Sequence, residues 1–512
     1  MRRARVAAAF RARWQLLTAI LGHRQAILFA AGVVASHVVA AWCNVGFVNA
    51  DEHYQILEFA QYKLGYQSAD ALAWEFAMRM RPTLQPWLAA GAIRAHHLAG
   101  VTSPFAIAFS LRLVSALLAI IVSFELCGRC LPAITSRGGK LAALFLSFFL
   151  WGVPTAHGRF SSENWGGIWL AAGLCLFIDA LNAEPRSPAP ARRLAGAAGL
   201  LWAIAFYCRF QVGFAIAGAL LWLFVVRRRS ASLGLAIALG LAAGFVANEI
   251  LDYGLYGSWT IAPINYVWQN LVEGRAATFG TAPWWMISVY VTVALIPPYS
   301  LALIGVLGLG SWLARRDLLV WVAVPFFVAH ALVDRKDPRF LIPLLYVLGP
   351  WFGVCVDRLR LDARDLSPRW RTAGAAAATT FCVLNVVVMS VLITLPVNGQ
   401  TAFDHWAWQQ SRNGVRTMYT FDRADNGLPN NVTNSFYRSD VTMVPFSEVS
   451  RGTSEVSRFV SYAGTTLPDT LARAGCTQVL WTYPPWLTEQ RWIARLSHVD
   501  AVSACKLPPL GR

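Results

Sequence analysis

Long apolar runs, separated by short loops rich in arginine, dominate this sequence and restrict the folds that it can adopt. A helix that crosses a bilayer needs roughly 20 predominantly apolar residues, and we predict about eleven such spans. They lie near residues 25–46, 104–127, 141–157, 164–182, 194–208, 211–226, 232–250, 285–313, 318–333, 340–356 and 373–395. Of the 512 residues, 56% are hydrophobic and only 14% are charged, whereas about a quarter are charged in a soluble domain. The sequence therefore predicts a polytopic α-helical membrane protein.

The positions of the basic residues explain the net charge of +17. Arg-rich stretches at 227–230, 314–316 and 357–371 fall in loops on the same side as the N-terminus, as the positive-inside rule predicts for cytoplasmic loops. The longer loops, 47–103 and 251–284, and the C-terminal tail then lie on the outer face. No nucleic-acid partner is expected. The Ala/Arg-rich composition favours a multi-pass protein of a bacterial inner membrane with a periplasmic site, or of the ER membrane if the source is eukaryotic.

Two domains are predicted, a transmembrane catalytic domain over 1–395 and an outer-face domain over 396–512. Within the first outer loop, HYQILEFAQYKLG has the pattern of an amphipathic helix that lies at the membrane surface. The tail contains turn signals and a β-like stretch, TQVLWTY, and is predicted to be a small α/β domain. Its two cysteines, Cys476 and Cys505, are compatible with a disulfide in an oxidising compartment, but the sequence does not decide whether it forms.

Four polar clusters fall on the predicted outer face. They are Asp51–Glu52, Arg159–Glu163, the stretch 248–270 and Asp334–Arg339. Charged groups at a membrane boundary are costly unless they are paired or solvated in a cavity. We therefore predict an outward-facing polar pocket, capped by the amphipathic loop helices.

Each charged cluster also has a simpler interpretation. Asp51 and Glu52 suit an N-cap of the following helix, because acidic residues near a helix start are favoured by the helix dipole. Asp334–Arg339 suits a solvated turn in which Pro338 starts the next helix, and Arg159–Glu163 suits a turn with its own salt bridge. The combination of carboxylates and cations on one face instead favours a substrate that is both anionic and lipid-linked.

A sugar carried on a polyprenyl phosphate is such a substrate. Its transfer needs a general base that takes the proton of the acceptor hydroxyl. It also needs cations that stabilise the departing phosphate. Because that phosphate is already a weak base, one carboxylate is enough, in contrast to the two that glycoside hydrolysis requires.

The first outer loop, NADEHYQILEFAQYKLGYQSADALAWEFAMRMRP, resembles the opening loop of the family-22 glycosyltransferases. These are the GPI-anchor and N-glycan mannosyltransferases of the GT-C superfamily. The matching positions here are Asp51, Glu52, Tyr54, Gln55, Glu58, Leu64–Gly65–Tyr66, Ala73–Trp74–Glu75–Phe76 and Arg79 or Arg81. Further along, RFSSENWG, DYGLYGSWTIAPINYVWQN and RKDPRFLIPLLYV resemble later motifs of the family in the same order. This chain departs from the family pattern at Asn49–Ala50, which replaces His-Pro, and at Arg335 and Asp337, which replace His and Glu.

The resemblance implies a GT-C fold and an inverting, metal-independent hexosyltransferase, foremost a mannosyltransferase, that needs no cofactor. Its partners would be a polyprenyl-phosphate sugar donor, a glycan or glycolipid acceptor and the membrane lipids. By hypothesis Asp51 is the general base, with Glu52 as the reserve candidate. The residues assigned to the donor phosphate are Arg335, Lys336, Arg339 and Arg159. The residues assigned to positioning of the sugar or acceptor are Gln55, Glu58, Trp74, Glu75, Asn265 and Gln269.

Three alternatives remain open at this stage. Another GT-C transfer, such as protein O-glycosylation or a lipid A type modification, needs the same groups. A flippase or transporter of lipid-linked sugars also needs a polar cavity, but it predicts related halves and polar residues near the midplane, and no internal repeat is apparent. A scaffold with a degenerate site is disfavoured by the intact acidic pair. The identity of the sugar, the acceptor and the oligomeric state are not predicted.

Overall fold

The computed structural model describes residues 2–228, 231–360, 367–421, 435–437, 441–447, 459–488 and 501–508. The chain divides into two compact units. Unit 1 consists of residues 1–40, 78–87 and 112–393, and unit 2 consists of residues 41–77, 88–111 and 394–512. Most of the predicted first outer loop thus belongs to the same unit as the tail. The domain boundary placed at 395/396 from the sequence stays a prediction.

Helices of membrane-crossing length occupy most of the predicted spans. In the described part of the chain, six helical segments are long and apolar enough to cross a bilayer: His23–Cys43, Pro104–Ala133, Ser162–Ala183, Ala231–Tyr256, Pro338–Arg358 and Pro368–Thr394. Shorter apolar helices lie at Phe210–Val226, Tyr299–Leu313 and Leu318–Leu332. The other helices of unit 1 include Arg2–Leu21, Arg137–Phe148, Val153–His157, Pro188–Cys208, Ala262–Val267, Arg275–Thr278 and Met286–Ala294. The predicted helical membrane architecture is confirmed, and the count of eleven crossings stays a prediction.

Two predicted spans are each divided into two helices. The span at 285–313 breaks between Ala294 and Tyr299, where Pro297 and Pro298 lack the N–H groups that a continuous helix needs. The span at 141–157 breaks over residues 149–152. There Asn385 accepts a hydrogen bond from the Trp151 N–H at 2.9 Å and donates one to the Phe149 carbonyl at 2.6 Å. Backbone groups freed within a bilayer need such internal partners.

Glycine allows two helices of unit 1, Pro188–Cys208 and Ala231–Tyr256, to approach closely. A Cβ atom at Gly199 would lie 2.2 Å from the Ile237 carbonyl oxygen, and one at Gly240 would lie 2.0 Å from that of Gly196. Any larger residue at these positions would force the helices apart. Small residues are the usual means of helix packing in membranes, where apolar burial gives no driving force between helices.

Unit 2 combines a helical loop with a small mixed sheet. A helical run covers residues 50–63, and further helices are Trp74–Ala77, Gly399–Arg412, Asp469–Arg473 and Pro485–Thr488. The strands are β1 (Thr417–Thr420), β2 (Thr442–Pro445), β3 (Phe459–Ala463), β4 (Thr477–Trp481) and β5 (Val502–Lys506). Their order is β2-β1-β3-β5-β4. Strand β1 is parallel to β2 and β3, whereas β5 is antiparallel to β3 and β4.

The predicted small α/β domain of the tail is therefore confirmed, including the strand predicted from TQVLWTY. Phe403 and Ala407 of helix Gly399–Arg412 pack against Met418 and Val502 of the sheet. The cysteine pair that the sequence left open forms a disulfide between Cys476 and Cys505.

Candidate active site

The acidic pair lies in the first turn of the helical run 50–63. Asn49 is the N-cap, and its side-chain oxygen accepts a hydrogen bond from the Asp51 N–H at 3.1 Å. The alternative in which the acidic pair itself caps the helix is wrong, because Asn49 already performs that function. Asp51 and Glu52 are half-buried, and a helix N-terminus favours their negative charge. Directly after Glu52 the run continues as a π turn at His53–Leu57, a feature that is frequent at functional sites.

Gln55 links Asp51 to a second carboxylate. Its side-chain amide donates to Asp51 Oδ1 at 2.9 Å and to Glu75 Oε1 at 3.0 Å. Gln55 and Glu75 are both buried, and Trp74, beside Glu75, is half-buried. The neutral amide of Gln55 thus orients Asp51 Oδ1 and adds no charge of its own beside the carboxylate. The structure thus brings together three predicted site residues, Asp51, Gln55 and Glu75.

Glu58 is held entirely within unit 2 by its contacts. Its carboxylate accepts hydrogen bonds from the Ser435 N–H at 2.9 Å, the Phe436 N–H at 3.0 Å and the Gln67 amide at 3.3 Å, and also from the Ser435 hydroxyl. The Nε2 atom of His53 lies 2.8 Å from Glu58 Oε1. These hydrogen bonds hold the tail segment 435–437 against the helical run 50–63, which we call the acidic helix. Such contacts suit an anchoring function better than the sugar-positioning function predicted for Glu58.

We expect Glu58→Ala to lower the stability of the purified protein. Loss of the buried carboxylate leaves the 435–437 backbone and His53 without their partner, at a cost of about 2–4 kcal/mol. The midpoint of thermal unfolding measures this effect, and Asp70→Ala, at an exposed carboxylate of the same loop, is the matched control. An unchanged melting midpoint combined with a raised KM for a sugar substrate would favour the sugar-positioning hypothesis instead.

Burial raises the pKa values of two neighbouring acidic groups in unit 2, Tyr54 and Asp404. Burial, with smaller contributions from the Glu58 and Asp404 carboxylates, raises the pKa of Tyr54 above its ordinary value. Burial also raises the pKa of Asp404 to about 7, although a hydrogen bond from Gln400 opposes the shift. The tyrosine therefore stays a neutral phenol at physiological pH and offers a proton donor rather than a base.

A second charged cluster lies in unit 1 at the start of helix Ser162–Ala183. Glu163 follows the N-cap Ser161 and is buried. Its Oε1 atom lies 3.3 Å from Arg209 Nη1 and 3.6 Å from Arg339 Nη1. Arg339 also donates from Nε to Asp337 Oδ2 at 2.9 Å. Among the described residues, this cluster thus joins the Arg209 and Arg339 guanidinium groups to the Glu163 and Asp337 carboxylates.

The Phe340 ring contacts both guanidinium groups. The Arg209 Cζ atom is 4.8 Å from the centre of this ring and the Arg339 Cζ atom is 5.2 Å from it. A cation over an aromatic face is attracted by the ring quadrupole. The ring and Glu163 thus preorganise two arginines, which suits recognition of a phosphate group.

The other predicted donor-binding residues have different surroundings. The Lys336 amine is buried and donates to the Val333 carbonyl, with the Asp334 carbonyl at 3.5 Å. Arg335 is half-buried. Arg159 is buried, and its carbonyl accepts a hydrogen bond from the Asn164 amide at 2.8 Å. Arg339, the remaining predicted donor-binding residue, has an ion pair with Glu163 at 3.6 Å.

Asn265 and Gln269 lie in the second outer loop, within unit 1. The Asn265 amide donates to the Met78 and Arg79 carbonyls, each at 3.2 Å, and to the Thr260 hydroxyl at 2.9 Å. Arg79 has a φ of +49°, which costs energy for any residue with a side chain, so Asn265 stabilises a strained turn. Gln269 Oε1 is buried and accepts no hydrogen bond from the residues that the structure describes.

Arg209 was missed by the sequence reasoning. It lies in the connection between helix Pro188–Cys208 and the next apolar helix, and this turn falls on the predicted outer face. A basic residue there departs from the positive-inside rule, which places arginines mainly in cytoplasmic loops. That departure was the available signal.

Known proteins resemble this chain in sequence and in fold. Residues 27–408 match the model of the Alg9-like mannosyltransferase family. The chain belongs to this family. This Alg9-like chain is 27% identical to GPI mannosyltransferase 3 of Yarrowia lipolytica over 325 residues, which are 62% of this chain and 59% of that protein. It is 25% identical to the mannosyltransferase APTG1 of Arabidopsis thaliana over 348 residues, 65% of this chain and 59% of that protein. The match therefore spans about three-fifths of each relative.

The fold of this Alg9-like chain is shared with a solved bacterial structure. ArnT from Cupriavidus metallidurans, crystallised with undecaprenyl phosphate, superposes with a TM-score of 0.50 over 93% of this chain and 97% of that one, at 13% identity. At this identity the likeness concerns the fold alone. The GT-C fold predicted from the sequence is confirmed. In the described residues, His, Cys, Asp and Glu side chains do not form a group of three or more arranged to hold a metal ion.

Proposed function

We propose that this protein transfers a hexose, foremost mannose, from a polyprenyl-phosphate donor to a glycan or glycolipid acceptor with inversion at the anomeric carbon. The observation that carries the proposal is the Asp51 carboxylate, half-buried and oriented by the Gln55 amide at 2.9 Å. It lies within the region that matches the mannosyltransferase family. Asp51 takes the proton of the acceptor hydroxyl as that oxygen attacks the sugar, and Glu52 is the reserve candidate.

The donor phosphate is assigned to the arginine cluster of unit 1. Arg339 is the principal ligand because its guanidinium group is held beside Glu163 and Phe340, and Arg209 is added to the residues predicted from the sequence. Arg335, Lys336 and Arg159 remain in the proposal as further sources of positive charge. Cations stabilise the negative charge of the phosphate as its bond to the sugar breaks, so the leaving group needs no proton donor. The ArnT structure contains a lipid phosphate of the proposed class.

The proposal places the transfer on the outer face, opposite the Arg-rich loops, in a bacterial inner membrane. It assigns no step to a metal ion or other cofactor. Gln55, Glu75 and Trp74 position the acceptor side of the reaction, and Asn265 and Gln269 support the second outer loop.

Transfer by the purified full-length chain tests this proposal. We expect label to move from polyprenyl-phosphate [³H]mannose to an acceptor in an extract of native membranes, with the anomeric configuration inverted and the rate unchanged by EDTA. The control reaction contains GDP-[³H]mannose at the same concentration. Transfer from the nucleotide sugar alone, or activity abolished by EDTA and restored by a divalent ion, would contradict the proposed mechanism.

A further inference from the structure

Unit 2 contains a cavity that lies apart from the carboxylates described above. Its volume is about 280 Å³, near the lower end of the roughly 300–1,000 Å³ typical of ligand pockets. The polar and aromatic side chains that line it are Gln61, Tyr66, His97, Thr102, Trp408 and Phe436. Among the described residues that line it, none is Asp, Glu, Lys or Arg. The cavity thus suits a small, neutral ligand.

Two helix C-termini place the polar residues around this cavity. The helical run 50–63 ends at Gly65, with φ +80°, where the Tyr66 N–H donates to the Gln61 carbonyl at 2.9 Å. Helix Leu84–Leu98 ends in the same way at Gly100, with φ +76°. Both ends have the pattern of the Schellman motif, in which a glycine reverses the chain and returns the next residue to the last turn. The motif therefore brings Tyr66 beside Gln61 by local geometry.

Polar side chains in the lining offer hydrogen-bond donors and acceptors to a ligand. Gln61 lines the cavity and is 8% exposed as a residue, and its amide nitrogen and oxygen are not among the enclosed polar atoms that lack a partner. The amide offers two donors and an acceptor to a ligand in the cavity. The His97 ring and the Thr102 hydroxyl also line the cavity. These groups are ready to bind a ligand rich in hydroxyls.

Aromatic rings form another part of the lining. Tyr66 is 57% exposed, and its ring contacts the His97 ring at 6.1 Å between centroids. Trp408 is half-buried, and its orientation is fixed by Arg412 at 5.2 Å and by Phe105 at 5.8 Å. An aromatic face is electron-rich, so it attracts the polarised C–H groups on one face of a sugar ring. Hydroxyls at the edge of that ring then reach the amide, imidazole and hydroxyl groups.

The geometry points to this cavity as a binding site for a neutral sugar residue of the acceptor, a role that rests on the proposed transferase function. The cavity is coupled to the acidic helix within the same unit. Gln61 lies ten residues after Asp51 on the helical run 50–63, and Phe436 is bound through its N–H to Glu58 at 3.0 Å. A sugar bound here holds the acceptor at a fixed position relative to the carboxylate that takes its proton, which is the kind of alignment that raises transfer rates.

Binding is measured without turnover, so that it is independent of the transfer reaction. Methyl α-mannopyranoside and methyl N-acetyl-β-glucosaminide, at millimolar concentration, are the probes in saturation-transfer NMR with the full-length chain in detergent. We expect transfer to the ring protons of at least one probe, both for the wild type and for Asp51→Asn. Tyr66→Ala and Gln61→Leu are each expected to reduce the signal about fivefold.

Matched controls separate the cavity from general effects on unit 2. Trp486→Ala removes an exposed aromatic residue outside the cavity, and Gln409→Leu removes an exposed amide from the helix that carries Trp408. Both controls should keep the wild-type signal. Absence of a signal with either probe in the wild type, or equal signals from the cavity variants and the controls, would overturn the inference.

The transfer assay distinguishes the acceptor from the donor as the source of the bound sugar. We expect Tyr66→Ala and Gln61→Leu to raise the KM for the acceptor about tenfold and to leave the KM for the polyprenyl-phosphate sugar unchanged. A raised KM for the donor alone would overturn the assignment to the acceptor. If the wild type binds the probes but transfers no sugar, the proposed function fails while the cavity remains a sugar-binding site.

Discussion

Asp51→Asn is expected to reduce transfer by a factor of about 10²–10⁴, the usual contribution of a positioned general base. Asparagine keeps a side-chain oxygen that can accept the hydrogen bond that Gln55 donates to Asp51 at 2.9 Å. The replacement therefore preserves the local geometry and removes only the charge and the basicity. The effect should appear in kcat, because the donor is assigned to groups in unit 1 and the acceptor sugar to the cavity described above.

Two matched variants make this test specific. Asp70→Asn removes an exposed carboxylate from the same loop and should retain wild-type turnover. Glu52→Gln alters the adjacent acid and should cost far less than Asp51→Asn. Near-normal turnover of Asp51→Asn would eliminate Asp51 as the base, and loss of activity in Glu52→Gln alone would transfer that function to Glu52. Thermal unfolding and binding of the polyprenyl-phosphate sugar are measured in parallel, and neither should change in Asp51→Asn.

The membrane helices were predictable because hydropathy is summed over some twenty residues and does not depend on distant contacts. The interruptions within them were harder to predict. Pro297–Pro298 provides a local signal for one break. The break at 149–152 depends on Asn385, more than two hundred residues away in the sequence, and a long-range contact of this kind leaves no periodic trace. Similarly, hydropathy alone could not assign the helix cap to Asn49 rather than to Asp51.

The candidate site was predictable where its residues lie close together in the sequence. Asp51, Gln55 and Glu75 lie within twenty-five residues, and the family motif marks them together. The sequence did not indicate that Glu58 bonds to Ser435, which is 377 positions away. Nor did it indicate that Glu163 would pair with Arg209. Asp51, Glu58 and Glu163 thus differ in their bonding partners, and the sequence does not reveal those partners that come from distant parts of the chain.

Removal of Arg339 is the second change with a large expected effect. Arg339→Gln should raise the KM for the polyprenyl-phosphate sugar roughly 10–100-fold, the range that one charge-assisted hydrogen bond to phosphate would give. Arg315→Gln, at an exposed arginine outside the proposed site, is the control and should leave the KM unchanged. Arg339→Gln also leaves the buried Glu163 carboxylate with one guanidinium partner fewer. Breaking a buried ion pair costs about 3–5 kcal/mol in stability.

A double variant separates phosphate binding from charge compensation. In Arg339→Gln/Glu163→Gln both charges of the 3.6 Å pair are removed, but Arg209, at 3.3 Å from Glu163, also loses a charged partner, so the stability lost in Arg339→Gln should be restored only in part. If Arg339 binds the donor phosphate, the KM for the donor stays high in the double variant although the protein unfolds at a higher temperature than Arg339→Gln. If Arg339 serves only to neutralise Glu163, stability and donor KM recover together. Stability and the KM for the donor change together only if Arg339 acts by neutralising Glu163. A double-mutant cycle on these two residues measures their interaction directly.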